Sequence, residues 1–207
     1  MYDAIVDISH HNGDHLDFGA AGAAGIAAVI QKATQGTRYR DPTYTRNRAA
    51  VLAANLLFGS YHFGTGEDGA AQADFYLATV GPQPREALVL DLEANTAGPS
   101  MTLEEARAFV THVLEQTGTY PILYGGHDLK DELGRQADHV LSNCPLWLAQ
   151  YGPTPVLPVG WANWSLWQYT DGVVGSPPAV PGIGHCDRSR FVGEAADLAG
   201  FWASASA

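Results

Sequence analysis

Apolar residues along this chain follow two alternating patterns. Some form short unbroken runs; others recur every three or four positions. AIVDISH (4–10), IAAVIQKAT (26–34), LLFGSYHF (56–63), ALVLDLE (87–93) and PILYGG (121–126) are runs of the first kind and read as strands. In ALVLDLE the apolar positions are consecutive, which predicts burial on both faces, as in a parallel sheet. Helix-like segments follow these runs at about 17–24, 42–56, 68–80, 103–117 and 128–141. Pro42 sits near the start of its segment, where a missing N–H costs least. The clearest segment is 103–117, where Leu103, Ala106, Phe109, Val110, Val113 and Leu114 recur at helical spacing. Thr102 and Glu105 before it have capping-box spacing, and Gly118 stands where a helix stops.

After residue 141 the rhythm changes. PLWLAQY (145–151), NWSLWQYT (163–170) and IGHCDRSRF (183–191) read as strands, but the intervals between them carry Pro and Gly without helical periodicity. A short helix is predicted over 193–203. Five βα units followed by three strands predict an α/β fold. Eight strands close most naturally into a ring, here an irregular (βα)5(β)3 TIM-like barrel over 1–207 as a single domain.

Composition narrows the function. A chain of 207 residues, 46% hydrophobic and 16% charged, can bury a core without disulfides or metals. Its net charge of −11 argues against a nucleic-acid partner and against an anionic membrane surface. A neutral or polysaccharide ligand fits better. No apolar run approaches the ~20 residues of a membrane span. MYDAIVDISHHNG has no secretion-signal pattern, so delivery after signal removal or by another route, such as a phage holin, is expected. Cys144 and Cys186 lie far apart and suggest no zinc site; two small buried thiols are expected.

Active sites of such barrels lie at the C-terminal strand ends, so acids there are the candidates. They are Asp7 late in the first strand, Asp91 and Glu93 ending the fourth, and Asp187 in or near the end of the eighth. Asp91-Leu92-Glu93 is the sharpest signal. Residues i and i+2 of a strand share a face, with Cα atoms ~6.5 Å apart. Two carboxyls so placed repel, and the less solvated one keeps its proton to higher pH. One can then donate that proton to a leaving oxygen while the other, ionised, stabilises the cation-like intermediate. Solvated loop acids and a hard-cation site are the competing readings.

Tyr61, Tyr124, Trp147, Tyr151, Trp164, Trp167 and Tyr169 fall at or near strand ends, where their rings could stack on sugars. Core packing is the competing reading for each; Trp147 and Trp167 are the better candidates because polar or acidic strand ends neighbour them. His10 and His11, adjacent in an extended segment, would point to opposite sides and not share a metal. His62 is expected to orient a site residue or pack. No zincin motif, P-loop or GxSxG elbow is present.

Taken in order, VDISHHNG (6–13), QKATQG (31–36), DPTYTRN (41–47), GSYHF (59–63), QADFY (72–76), VLDLE (89–93), PILYGG (121–126), LWLAQY (146–151), LWQYTDG (166–172) and HCDRSRF (185–191) resemble the glycoside hydrolase family 25 lysozymes, nearly end to end. The resemblance implies the (βα)5(β)3 barrel. It also implies hydrolysis of the β-1,4 bond between N-acetylmuramic acid and N-acetylglucosamine in peptidoglycan, without metal or cofactor. By position, Glu93 resembles the general acid and Asp91 the partner carboxylate that steadies the substrate's own 2-acetamido group. Asp7 and Asp187 match the other two acidic site positions, and Tyr61, Tyr124 and Trp147 would line the sugar groove. The family often carries Asp-Trp after the first strand; here Asp17-Phe18 stands instead. A monomer acting on the cell wall, secreted or phage-delivered, is expected, because a polymeric substrate needs an open groove. A barrel chitinase is the neighbouring alternative, but it would carry DxDxE on the fourth strand, and here Val89 takes the first of those positions. A sugar-binding module that has lost turnover is the alternative outside enzymes.

Overall fold

The computed structural model describes residues 1–206. Its strands are β1 (Tyr2–Ile8), β2 (Ala28–Gln35), β3 (Tyr39–Arg40), β4 (Leu57–Phe63), β5 (Glu86–Leu92), β6 (Ile122–Gly125), β7 (Leu146–Ala149), β8 (Leu166–Thr170) and β9 (Asp187–Phe191). Its helices are α1 (Phe18–Ala23), α2 (Tyr44–Ala53), α3 (Gly69–Val80), α4 (Leu103–Thr117), α5 (His127–Leu133) and α6 (Ala195–Ser204). From β1 through β2 and then β4 to β8, each strand of the ring pairs in parallel with the next. Strand β9 runs antiparallel to both β8 and β1 and closes the ring. The result is an eight-stranded α/β barrel, with the two-residue β3 attached to β2 outside the ring.

Side chains alternate across the barrel wall. Ile5, Ala28, Ile30, Ala87, Val89, Ile122, Leu166 and Phe191 form one apolar cluster inside the ring. Their neighbours Val6, Val29, Leu88, Leu90 and Leu123 join a second cluster with the helices outside. This two-sided burial explains why strands such as β5 read as continuous apolar runs. Each fully buried aliphatic side chain contributes roughly 1.5–3 kcal/mol.

The inner cluster also contains Leu198, Trp202 and Ala205, so α6 covers the end of the barrel away from the C-terminal strand rim. Trp202 is fully buried, and its Nε1 donates to the Phe58 carbonyl at 2.7 Å. On the outside, α3 crosses close to the start of α4. A Cβ at Gly69 would lie 2.0 Å from the Glu105 carbonyl oxygen, so this approach requires glycine. Helix α4 begins with the expected Thr102/Glu105 capping box and ends at Gly118 with φ of 76°.

Four details differ from the sequence reading. The predicted helix at 128–141 is two pieces. Helix α5 ends at Gly134, and Asp138 then caps a 3-10 turn over Leu141–Asn143 by accepting the Val140 and Leu141 N–H groups. The segment around His10 leaves the strand early: Ser9 caps a 3-10 turn over His10–Asn12. The two imidazoles therefore lie with centroids 3.9 Å apart and planes tilted by 39°, and do not point apart. The hairpin strand β3 carries no periodicity and went unrecognised. The predicted eighth barrel strand starts only at Asp187 and runs antiparallel to both of its neighbours, β8 and β1.

Candidate active site

At the C-terminal rim of the parallel strands the inner face turns from apolar to polar. Two residues after Ile5 comes Asp7; two after Val89 comes Asp91; two after Leu166 comes Gln168. Glu93 follows one position beyond the end of β5 and turns to the same side. These four line a cavity of about 260 Å³ with Tyr61, Tyr124, Trp147, Tyr151 and Asp187. Eight of the eleven acids and aromatics singled out in the sequence are thus brought together; Trp164, Trp167 and Tyr169 are not.

Trp167 is one of the three left outside, and its assignment to the sugar groove is corrected. It occupies the odd position between Leu166 and Gln168, so it faces the outside of the barrel. There it is 3% exposed, its Nε1 donates to the Gln150 carbonyl at 2.7 Å, and it packs beside Trp164, Tyr169 and the Arg190 guanidinium. His62, also outward, is fully buried between Thr34 and Gln72 and stacked on Phe109. Burial lowers it to about 4, so it packs as a neutral ring. Cys144 and Cys186 are free and buried.

Four carboxyls around one small cavity shape its electrostatics. Burial, first, and then Asp187 hold the Asp7 carboxyl well above the usual carboxylate range. Burial and Glu93 do the same to Asp91. Glu93 is raised chiefly by burial, with the Lys32 ammonium opposing, and further by Asp128 and Asp187. Asp187 is pushed up to about 6 by burial and Asp171. The site therefore retains protons at pH values where ordinary carboxylates have none.

Sequence reasoning missed two residues of this environment. Gln168 is 3% exposed and donates from Nε2 to both oxygens of Asp7, at 3.2 and 3.0 Å, while its Oε1 accepts from the Tyr124 hydroxyl at 3.0 Å. The even positions of LWQYT, read as one face of a strand, could have found it. Lys32 is the cation whose charge opposes the raised values of Asp91 and Glu93. Its Nζ donates to Gln35 Oε1 at 2.7 Å and lies 4.8 Å from the centre of the Phe63 ring. The aromatic walls are anchored by their neighbours: Trp147 Nε1 donates to Ser189 Oγ at 2.9 Å, and Tyr124 packs edge-on against Trp147 at 4.7 Å. Among the described residues, no three His, Cys, Asp or Glu side chains are grouped as a metal site, and no helix is long and apolar enough to cross a membrane.

The sequence profile of the family described as "Glycosyl hydrolases family 25" matches residues 6–176. The chain belongs to glycosyl hydrolase family 25. It is 27% identical over 208 residues to Lysozyme M1 of Streptomyces globisporus, covering 93% of this chain and 69% of that protein. It is 32% identical over 183 residues to the N,O-diacetylmuramidase of Chalaropsis sp, covering 80% of this chain and 86% of the other. The crystal structure of the bacterial lysozyme from Streptomyces coelicolor superposes with a TM-score of 0.82 at 25% identity, covering 99% of this chain and 98% of that one. This family 25 member is accordingly a glycoside hydrolase of the lysozyme type.

Proposed function

We propose that the enzyme is an N-acetylmuramidase. It hydrolyses the β-1,4 bond between N-acetylmuramic acid and N-acetylglucosamine in peptidoglycan, with Glu93 as general acid and Asp91 as partner carboxylate. The observation that carries this reading is the placement of Asp91 and Glu93 on one inner face at the mouth of the barrel, in a cavity walled by Tyr61, Tyr124 and Trp147. Aromatic walls suit sugar rings, and paired carboxyls of unequal solvation suit cleavage of an acetal.

The two carboxyls share a proton problem. Both are buried, and ionising both is opposed by each other's charge. Substrate resolves it. Among the described residues Asp91 Oδ1 has no hydrogen-bond donor. An N–H from the sugar's 2-acetamido group would favour the ionised form of Asp91 and leave the proton on Glu93. Glu93 then passes that proton to the glycosidic oxygen as the bond to the anomeric carbon breaks. The acetamide oxygen attacks that carbon, and Asp91 stabilises the positive charge of the resulting ring. Water opens the ring and returns a proton to Glu93. Asp187 lies on β9, four strands from β5 in either direction around the ring, so it faces the pair across the mouth. Where ionised, it and Asp7 add negative potential to the cavity in which the positive charge develops.

The role in the cell is lysis or turnover of bacterial wall, and the substrate is the glycan strand. Digestion of purified peptidoglycan, borohydride reduction and mass spectrometry test the bond specificity. Reduced muramic-acid ends are expected; reduced glucosamine ends, or chitin cleaved in preference, would contradict it.

A further inference from the structure

The inner face holds one buried amide that the scheme above does not use. Gln168 sits on β8 between Tyr124 on β6 and Asp7 on β1, although β6 and β1 are not neighbours in the ring. It spans the cavity wall from one to the other. With Asp7 ionised, its carboxylate only accepts hydrogen bonds, so the amide nitrogen faces Asp7 and the amide oxygen faces Tyr124. Both ends are thereby fixed. The Tyr124 hydroxyl spends its proton on Gln168 and turns its lone pairs to the cavity. Asp7 receives two N–H donors, which favour its ionised form.

Among the described residues, nothing else around Asp7 does this apart from a backbone N–H. Asp187 faces it from β9, and Asp91 and Glu93 face it from β5, all acidic. Tyr61 on β4, Tyr124 on β6 and Tyr151 after β7 add phenols, and the Cys186 thiol lies beside Asp187. The Lys32 ammonium on β2 acts on Asp91 and Glu93.

We propose that Gln168 is a positioning residue of the hydrolytic reaction. It clamps Asp7 and Tyr124 in one polarity, so that both present hydrogen-bond acceptors to the donor groups of the bound sugar. The inference rests on the N-acetylmuramidase reading for the identity of that sugar, while the clamp itself rests on the three hydrogen bonds.

The test compares wild type with Gln168→Met, which keeps the length but has no donor, and with the isosteric Gln168→Glu. Rates are measured on soluble peptidoglycan fragments across pH. Gln168→Met should lower kcat by about 10- to 100-fold with little change in KM, as expected when an aligned group is released. Its acidic limb should move up by about one pH unit, because Asp7 without its donors holds a proton longer. Gln168→Glu should be impaired at neutral pH and recover in part as the pH falls, when the introduced carboxyl is protonated and can again donate to Asp7. A purely structural role would lower the melting temperature but produce neither the shifted limb nor the recovery. Unchanged kcat and pH profile in a folded Gln168→Met would overturn the proposal. So would an unshifted Asp7 titration, followed by carbon NMR of the carboxyl in wild type and variant. That titration decides the matter even if wild type cleaves no peptidoglycan, which would count against the substrate reading alone.

Discussion

Asp7 and Asp187 stand directly opposite each other in register across the antiparallel pairing of β1 with β9. In an all-parallel barrel the first residue of the eighth strand would lie at the far end from the active site. Here β9 is reversed, so its beginning reaches the same rim as the end of β1. Two acids from the two ends of the chain therefore meet at the cavity, and the closure of the barrel and the assembly of the site are one event.

This crowding has a consequence for stability. Burial and Asp171 raise Asp187 to about 6, and Asp7 is raised by burial and Asp187. A carboxyl whose folded value exceeds its unfolded value binds its proton more tightly in the folded state. Its stabilising contribution is complete below about pH 4 and is lost as pH rises through about 6. The melting temperature should therefore fall between pH 4 and 6 from this group. Asp187→Asn should flatten that slope and raise stability at pH 7 by about 1–2 kcal/mol, or a few degrees. Calorimetry across this range checks both, and a steeper slope in the variant would contradict the account.

Asp91→Asn should fold and lose about 100-fold or more in turnover, because a charge fixed in a desolvated site carries much of the transition-state stabilisation. Initial rates on soluble fragments measure it. If Asp91→Asn retains activity while Asp7→Asn is dead, the roles of the two acids are exchanged.

Much of this site was legible in the sequence because strands convert spacing into direction. Apolar runs marked β1, β4, β5 and β6, and the period of two put Asp91 and Glu93 on one face. The same period applied to LWQYT separates Gln168 from Trp167, but the face is not obvious without knowing that Leu166 points inward. Composition drew attention to the tryptophan, and geometry favours the glutamine. The reversal of β9 was not legible, since strand direction depends on the path of the connection between 171 and 186. Nor was the close approach of the His10 and His11 rings, which follows from the Ser9 cap and not from any periodicity.

Trp202 is remote from the chemistry but closes the barrel. It fills the lower interior and satisfies the Phe58 carbonyl. Trp202→Ala should cost about 3–5 kcal/mol in denaturant unfolding, leaving kcat near wild type at temperatures where the variant stays folded. A destabilisation under about 1 kcal/mol would show that α6 packs only loosely.

A chelator should leave the rate unchanged, since the proposed acid and partner are carboxyls that act without a metal. Inhibition by EDTA that added calcium reverses would favour a cation held among the four acids.

The central claim is that Glu93 delivers the proton. The most direct measurement is the rate of glycan cleavage by Glu93→Gln on soluble peptidoglycan fragments, beside wild type and with folding verified by circular dichroism. Glutamine keeps the shape and removes the transferable proton, so turnover should drop by about 1000-fold with substrate binding retained. A folded Glu93→Gln that cleaves near the wild-type rate would contradict the account.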